Sequence, residues 1–182
     1  MPELSVTRRY AQALFDTAQR SGTVEKIEQD LDTIEAALRT TPLLMRVLRA
    51  PTISRDRKKQ LLRQVFGASV TSLTMRFLYL LVEKRREVIL PYVNTEFKQL
   101  SYRFRHILPV TVRAATRLTA EERQRLTQAL AAKTGQTIDL HEEVDPSLMG
   151  GAVLRLGDTI IDGSVTGYLR RLRQRMLAGA GV

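Results

Sequence analysis

Residues 93–114 decide how the chain folds: Val93-Asn-Thr-Glu-Phe97-Lys-Gln-Leu100-Ser-Tyr-Arg-Phe104-Arg-His-Ile107-Leu-Pro-Val110-Thr-Val112-Arg-Ala114. Up to Phe104 the apolar residues recur at steps of 4, 3 and 4, which places them on one face of a helix. From Val110 they recur at every second position, the pattern of a half-buried strand. The period changes across the join Arg103–Pro109, which lacks the Gly/Ser composition of a flexible linker.

Upstream of this stretch the chain reads as helix after helix. Ser5 or Thr7 suits the cap of a first helix running to about Arg20, and Ser21-Gly22 stops it. Thr23 opens a second, with Val24, Ile27, Leu31, Ile34 and Leu38 in one stripe and Glu25, Lys26, Glu28, Asp30 and Asp32 turned outward. Thr41-Pro42 begins a third, because proline is tolerated at a first helical position; Ala50-Pro51 ends it. Ser54 caps a fourth, closed at Gly67. A fifth starts near Val70 or Thr71 and is apolar around much of its circumference, which places it in the middle of a bundle. Pro91 sits in the first turn of the sixth.

Downstream, Thr119-Ala-Glu-Glu122 is a capping box that starts a helix ending at Gly135. Thr137–Val144 alternates again. Gly150-Gly151 leads into a strand at 152–156, Gly157-Asp158 suits a tight hairpin, and Thr159-Ile160-Ile161 returns. Asp162-Gly163-Ser164 then turns the chain into a last helix with Val165, Leu169, Leu172 and Met176 in one stripe. The fold class that follows is mainly α: an N-terminal six-helix bundle over residues 1–105, then a smaller C-terminal α/β region with a short β-sheet over 106–182.

Composition narrows the chemistry. The 182 residues contain no cysteine, which removes disulfide scaffolds, thiolate zinc sites and thiol nucleophiles together. No apolar run approaches the roughly 18 residues of a membrane span, and the start lacks a signal-peptide pattern, so a soluble, intracellular chain is expected. His106 and His141 are the only histidines, and no phosphate-binding glycine loop or nucleophile elbow is present. Asp158 and Asp162 near glycines are the one candidate for a divalent cation or an acid–base pair. Asp158 fits a hairpin turn better, and Asp162 or Ser164 fits the cap of the final helix. Catalytic, metal-binding and cofactor-binding residues are therefore expected to be none. The net charge of +10, with clusters at Arg55–Lys59, Lys84–Arg86 and Arg170–Arg175, favours an anionic partner. A basic RNA-binding helical adaptor is one reading of it, although aromatics are scarce and lie outside the basic runs. The other reading is interaction surface: Ala11, Leu14, Phe15 and Ala18 make one face of the first helix, and Tyr10, Ala13 and Thr17 a neighbouring one. Small alanines there let a partner helix approach.

These residues carry a resemblance. Arg9-Tyr10-Ala11-Gln-Ala13-Leu14-Phe15 resembles the opening helix of the rotary ATP synthase delta subunit family, which includes the mitochondrial oligomycin-sensitivity-conferring protein. Pro51-Thr-Ile53 with Lys58 and Lys59 is similar to the family's loop into its fourth helix, and Phe77–Arg86 to its fifth. The specific block is C-terminal: Val144-Asp145-Pro-Ser-Leu148-Met-Gly150-Gly151, then Arg155-x-Gly157-Asp158-x-x-Ile161-Asp162-Gly163-Ser164-Val165-x-Gly167-x-Leu169. Departures are Arg76, where the family pattern has Asn, and Thr166 and Tyr168, where it often has Arg.

The resemblance implies a non-catalytic stator subunit of a proton- or sodium-translocating ATP synthase, on the cytoplasmic face of a bacterial cell membrane. It implies that the bundle holds N-terminal segments of alpha subunits, with Tyr10, Ala13, Leu14, Phe77 and Leu81 near the groove. It implies that the C-terminal region meets the C-terminal stalk helices of the b subunit. Gly150, Gly151, Gly157, Asp158, Asp162, Gly163 and Ser164 are expected to be architectural. No specific nucleic acid is implied, and the membrane is reached only through the complex.

Overall fold

The computed structural model describes residues 2–157 and 159–179. The chain divides between Ser101 and Tyr102 into two compact units. Six α-helices build the first: α1 (Pro2–Arg20), α2 (Val24–Thr40), α3 (Pro42–Arg49), α4 (Arg55–Phe66), α5 (Ser72–Glu83) and α6 (Leu90–Phe104), with a 3-10 turn at Glu87–Ile89 before α6. The stripes read from sequence converge on one core. Ile27, Leu31, Ile34, Leu48, Leu62, Phe66, Leu78, Val82, Val93 and Phe97 are among its fully buried side chains. Phe15 meets Phe97 edge-on, with ring centroids 5.6 Å apart; such aromatic pairs contribute about 0.5–1.5 kcal/mol beyond their buried area.

Local chemistry sets the helix ends. The Ser54 hydroxyl accepts the Arg57 amide, and the Thr71 hydroxyl accepts the Thr74 amide. Two details depart from the sequence reading. α1 begins at Pro2 instead of at Ser5 or Thr7, and Thr7 is buried within it. Gly67 closes α4 as read, in a right-handed conformation. Asp30 does not face solvent. It is only 7% exposed, and one carboxylate oxygen accepts from the Thr71 amide (2.8 Å), the Thr71 hydroxyl (2.7 Å) and the Thr74 hydroxyl (2.7 Å). A carboxylate on α2 thus neutralises the positive start of α5, and three hydrogen bonds offset its desolvation.

Other buried polar groups also tie helices together. Lys58 Nζ lies 2.8 Å from Glu87 Oε1, with both side chains 8% exposed. Asn94 on α6 donates to Asp32 and Glu35 on α2, and Ser101 donates to Glu28.

The second unit is a four-stranded sheet with two helices: β1 (Ile107–Ala114), α7 (Ala120–Thr134), β2 (Thr137–Val144), β3 (Ala152–Leu156), β4 (Thr159–Asp162) and α8 (Val165–Gly179). Strand order is β2-β1-β3-β4. β1 and β2 are parallel, as a helical crossover requires, and the remaining pairs are antiparallel. The Thr119 capping box forms as read, with hydroxyl and carboxylate exchanging bonds with the backbone, and Gly135 ends α7 at φ +69°. Val110, Val112 and Ala114 point to the buried face of β1, while Thr111 and Arg113 point to the other.

Candidate functional site

Two features of the chain can act on something outside it. The first is a groove of about 220 Å3 between α1 and α5. Its lining is Tyr10, Ala13, Leu14 and Thr17 from α1 and Leu73, Arg76, Phe77 and Leu80 from α5. Both sets follow the spacing i, i+3, i+4, i+7, so each helix offers one straight strip about two turns long. Leu14 (3% exposed) and Phe77 (6%) form the floor. Ala13 is exposed and has no bulk to fill the space above it. The Thr17 hydroxyl is turned back to the Ala13 carbonyl at 2.8 Å, and Arg76 Nε to the Ser72 carbonyl at 3.3 Å. Two polar atoms on the rim are thereby bonded within their own helices, and the groove lining is mostly apolar.

The structure brings Tyr10, Ala13, Leu14 and Phe77 to this groove together. Leu81 is not on its lining. It is 1% exposed and packed in the bundle core, and Leu80, 40% exposed, takes the rim. One residue along a helix rotates a side chain by about 100°, so the two leucines serve different faces. Leu73, Arg76 and Leu80 are groove residues that the sequence reading does not single out as such, although their 3-4-7 spacing with Phe77 is the available signal.

The second feature is the junction that holds α8. Asp162 Oδ1 accepts from the Ser164 amide (2.9 Å) and the Ser164 hydroxyl (2.6 Å); the Ser164 oxygen in turn accepts the Gly167 amide at 3.0 Å. Ser164 is therefore the helix cap, and Asp162 orients it. The other carboxylate oxygen faces Arg170 at 3.3 Å and Arg171 at 4.0 Å. A Cβ on Gly167 would lie 2.3 Å from Asp162 Oδ2, so only glycine lets the carboxylate sit against the helix. Gly151 has φ +76°, and a Cβ there would meet the Gly163 carbonyl oxygen at 2.4 Å. The Val165 amide donates to the Gly150 carbonyl and the Gly163 amide to the Ala152 carbonyl, each at 3.0 Å. Gly157 turns at φ +57°; Asp158 lies outside the described residues. Hydrogen bonds from Ser164, with Arg171 and Arg170 nearby, hold the Asp162 carboxyl below its ordinary value of 3.8.

Anchored this way, α8 leaves its apolar stripe uncovered: Val165, Leu169, Leu172 and Met176 are exposed, with Tyr168 beside them. The open sheet face carries a further hollow of about 250 Å3 lined by Thr111, Arg113, Glu143, Val153, Arg155 and Ile160.

Among the described residues no group of three or more His, Asp or Glu side chains is placed to hold a metal ion. No helix among them is long and apolar enough to cross a membrane. The parts on display are an apolar helix-width groove and an exposed helix stripe, which define a protein-binding module.

Comparison with known proteins narrows that class. The family model for the ATP synthase delta (OSCP) subunit matches residues 6–176. The ATP synthase subunit delta of Symbiobacterium thermophilum is 35% identical over 174 residues, covering 96% of this chain and 94% of the relative. Those of Syntrophomonas wolfei (34% over 172 residues, 94% of each chain) and Salinibacter ruber (36% over 176 residues, 97% and 93%) are similar to the same extent. A chain in the cryo-EM structure of the Toxoplasma gondii mitochondrial ATP synthase hexamer superposes with a TM-score of 0.72 at 27% identity, over 94% of this chain and 97% of that one. The chain belongs to the ATP synthase delta (OSCP) subunit family. Its function is that of the delta/OSCP stator subunit, a non-catalytic part of the ATP synthase complex.

Proposed function

We propose that residues 1–105 receive an N-terminal helical segment of an alpha subunit in the α1/α5 groove, and that residues 106–182 meet the C-terminal end of the peripheral b stalk. The chain then clamps the catalytic head to the stalk, at the membrane periphery and on its cytoplasmic side. Rotation of the central shaft strains the catalytic sites instead of turning the whole head.

The observation that carries this reading is the groove. Two parallel strips of apolar and small side chains with matched helical spacing fit the apolar face of a third helix. Such a clamp needs slow dissociation. Nanomolar attachment corresponds to about 12 kcal/mol, and apolar burial at roughly 25 cal/mol per Å2 must exceed that, because association costs are met first. A second contact through the other end of the chain adds attachment through effective concentration.

Titration calorimetry of the full chain with a peptide from the alpha-subunit N-terminus tests the groove. The wild-type chain releases or takes up heat and saturates at one peptide per groove. Ala13→Glu weakens binding at least about tenfold, the scale of a desolvated charge at a helix contact, and leaves the circular dichroism spectrum unchanged because Ala13 is exposed. Absence of heat with the wild-type chain, or equal binding by the variant, contradicts the assignment.

A further inference from the structure

The cations of the helical unit are unevenly placed. Residues 39–86 hold twelve Lys or Arg against two Asp or Glu. Much of the excess gathers where the first turn of α4 meets the last turn of α5. Lys59 crosses this junction to Glu83, 2.6 Å away, with its ammonium 5.9 Å from the centre of the Tyr79 ring. The hydrogen bond and charge of Lys59, followed by the charges of Lys84 and Arg55, hold the Glu83 carboxyl below its ordinary value. Those three cations therefore bear on one point. Lys58 is committed to Glu87 in the interior. Arg55, Arg57, Lys84, Arg85 and Arg86 are exposed, and none of them has an ion-pair partner among the described residues.

Two of these placements run against local preference. Arg55 and Arg57 occupy the first turn of α4, where the helix dipole disfavours cations. Arg85 has φ +55° and follows the end of α5 in the position that favours glycine; the Arg86 amide reaches the Leu81 carbonyl at 2.8 Å and the Arg85 amide that of Val82 at 3.2 Å. Arg55 gains only the pull of Glu83, Arg57 and Arg85 have no ion-pair partner among the described residues, and departures from local preference that are not offset within the chain collect at functional surfaces.

We propose that this corner of the bundle, formed by Arg55, Arg57, Lys84, Arg85 and Arg86, is a docking surface for an acidic segment of another protein, its Asp and Glu carboxylates held by the arginine forks. Guanidinium groups suit carboxylates through paired hydrogen bonds. The patch suits nucleic acid less well. Its one ring, Tyr79, is half-buried and already carries Lys59, so no stacking platform is open. Glu83 and Asp56 also lie within or beside it, where evenly spaced phosphates would meet them; side-chain carboxylates can be spaced around them. The surface is separate from the α1/α5 groove lining, so its test does not depend on that assignment.

Fluorescence anisotropy of the full chain with a labelled octaglutamate peptide, in low salt, reads the interaction. Saturable binding that weakens as salt rises is expected. Arg85→Gly and Arg55→Gln should each weaken it roughly fivefold; Arg85→Gly should also raise Tm, since it relieves a left-handed placement, while Arg55→Gln should leave Tm nearly unchanged, because the lost pull on Glu83 offsets the relieved helix-dipole repulsion. Arg117→Gln, an exposed arginine in the other unit, should change binding less than about twofold. The proposal is overturned by a lack of saturable binding or by unchanged binding in both variants. A fall in Tm in both would overturn it too, since the cations would then be serving the fold. Tighter binding of a uridine-rich 12-mer RNA with the same dependence on Arg55 and Arg85 would assign the patch to nucleic acid instead.

Discussion

Asp162 shows how one carboxylate can fix the direction of a whole helix. It holds the Ser164 amide and hydroxyl, Ser164 caps α8 through the Gly167 amide, and Gly167 lacks the side chain that would push the carboxylate away. Because the folded carboxyl ionises more readily than the unfolded one, with its ordinary value of 3.8, it stabilises the fold fully above that value. The contribution is lost as pH falls through the lower, folded value. Asp162→Asn is therefore expected to melt below the wild-type chain at pH 7, and the gap should close as pH is taken down below 3.8. A gap that is the same at every pH in thermal melts would show that the charge has no part in the anchor. The sequence made Asp162 and Ser164 equal candidates for the cap. Which of them bonds the backbone depends on the turn at Gly163, which side-chain type alone does not specify.

At the scale of elements, α5 is the one with two tasks. Phe77, Leu78, Leu81 and Val82 are buried, while Leu73 and Leu80 border the groove with Phe77 at its floor. Leu81→Ala should cost about 2–5 kcal/mol, the range for a core leucine truncation. Leu80→Ala, at a half-open rim, should cost under about 1 kcal/mol yet weaken binding of the alpha peptide. Denaturant unfolding with the peptide titration separates the two, and equal effects of both variants on stability would show that the α5 faces are misassigned. An apolar sequence around most of a helix signals a central position but cannot say which face its own chain covers, so Leu80 and Leu81 were indistinguishable as sequence. Asp30 was hidden for a related reason: it alternates with other acids on α2, and its hydroxyl partners lie more than 40 residues away. Helix ends were plainer, because Ser54, Thr71 and the Thr119–Glu122 box act on amides only three residues off. The strands were plain as well, since alternation at Val110 and Val112 needs no distant partner to be read.

At the scale of the whole molecule, the chain offers surfaces that hold, in keeping with the non-catalytic role of its family. The helical unit buries a core of its own and leaves a groove, and the sheet-bearing unit exposes the stripe of α8. A stator needs both attachments at once, because either one alone lets the head turn with the shaft. The proton gradient built by ATP hydrolysis in vesicles containing the enzyme reads that requirement directly. ATP synthase depleted of this subunit is expected to hydrolyse ATP without acidifying the vesicles. Adding back the wild-type chain should restore acidification, whereas the Ala13→Glu chain at the same concentration should restore little. Full acidification in the depleted enzyme, at an undiminished ratio to ATP hydrolysed, would contradict the account.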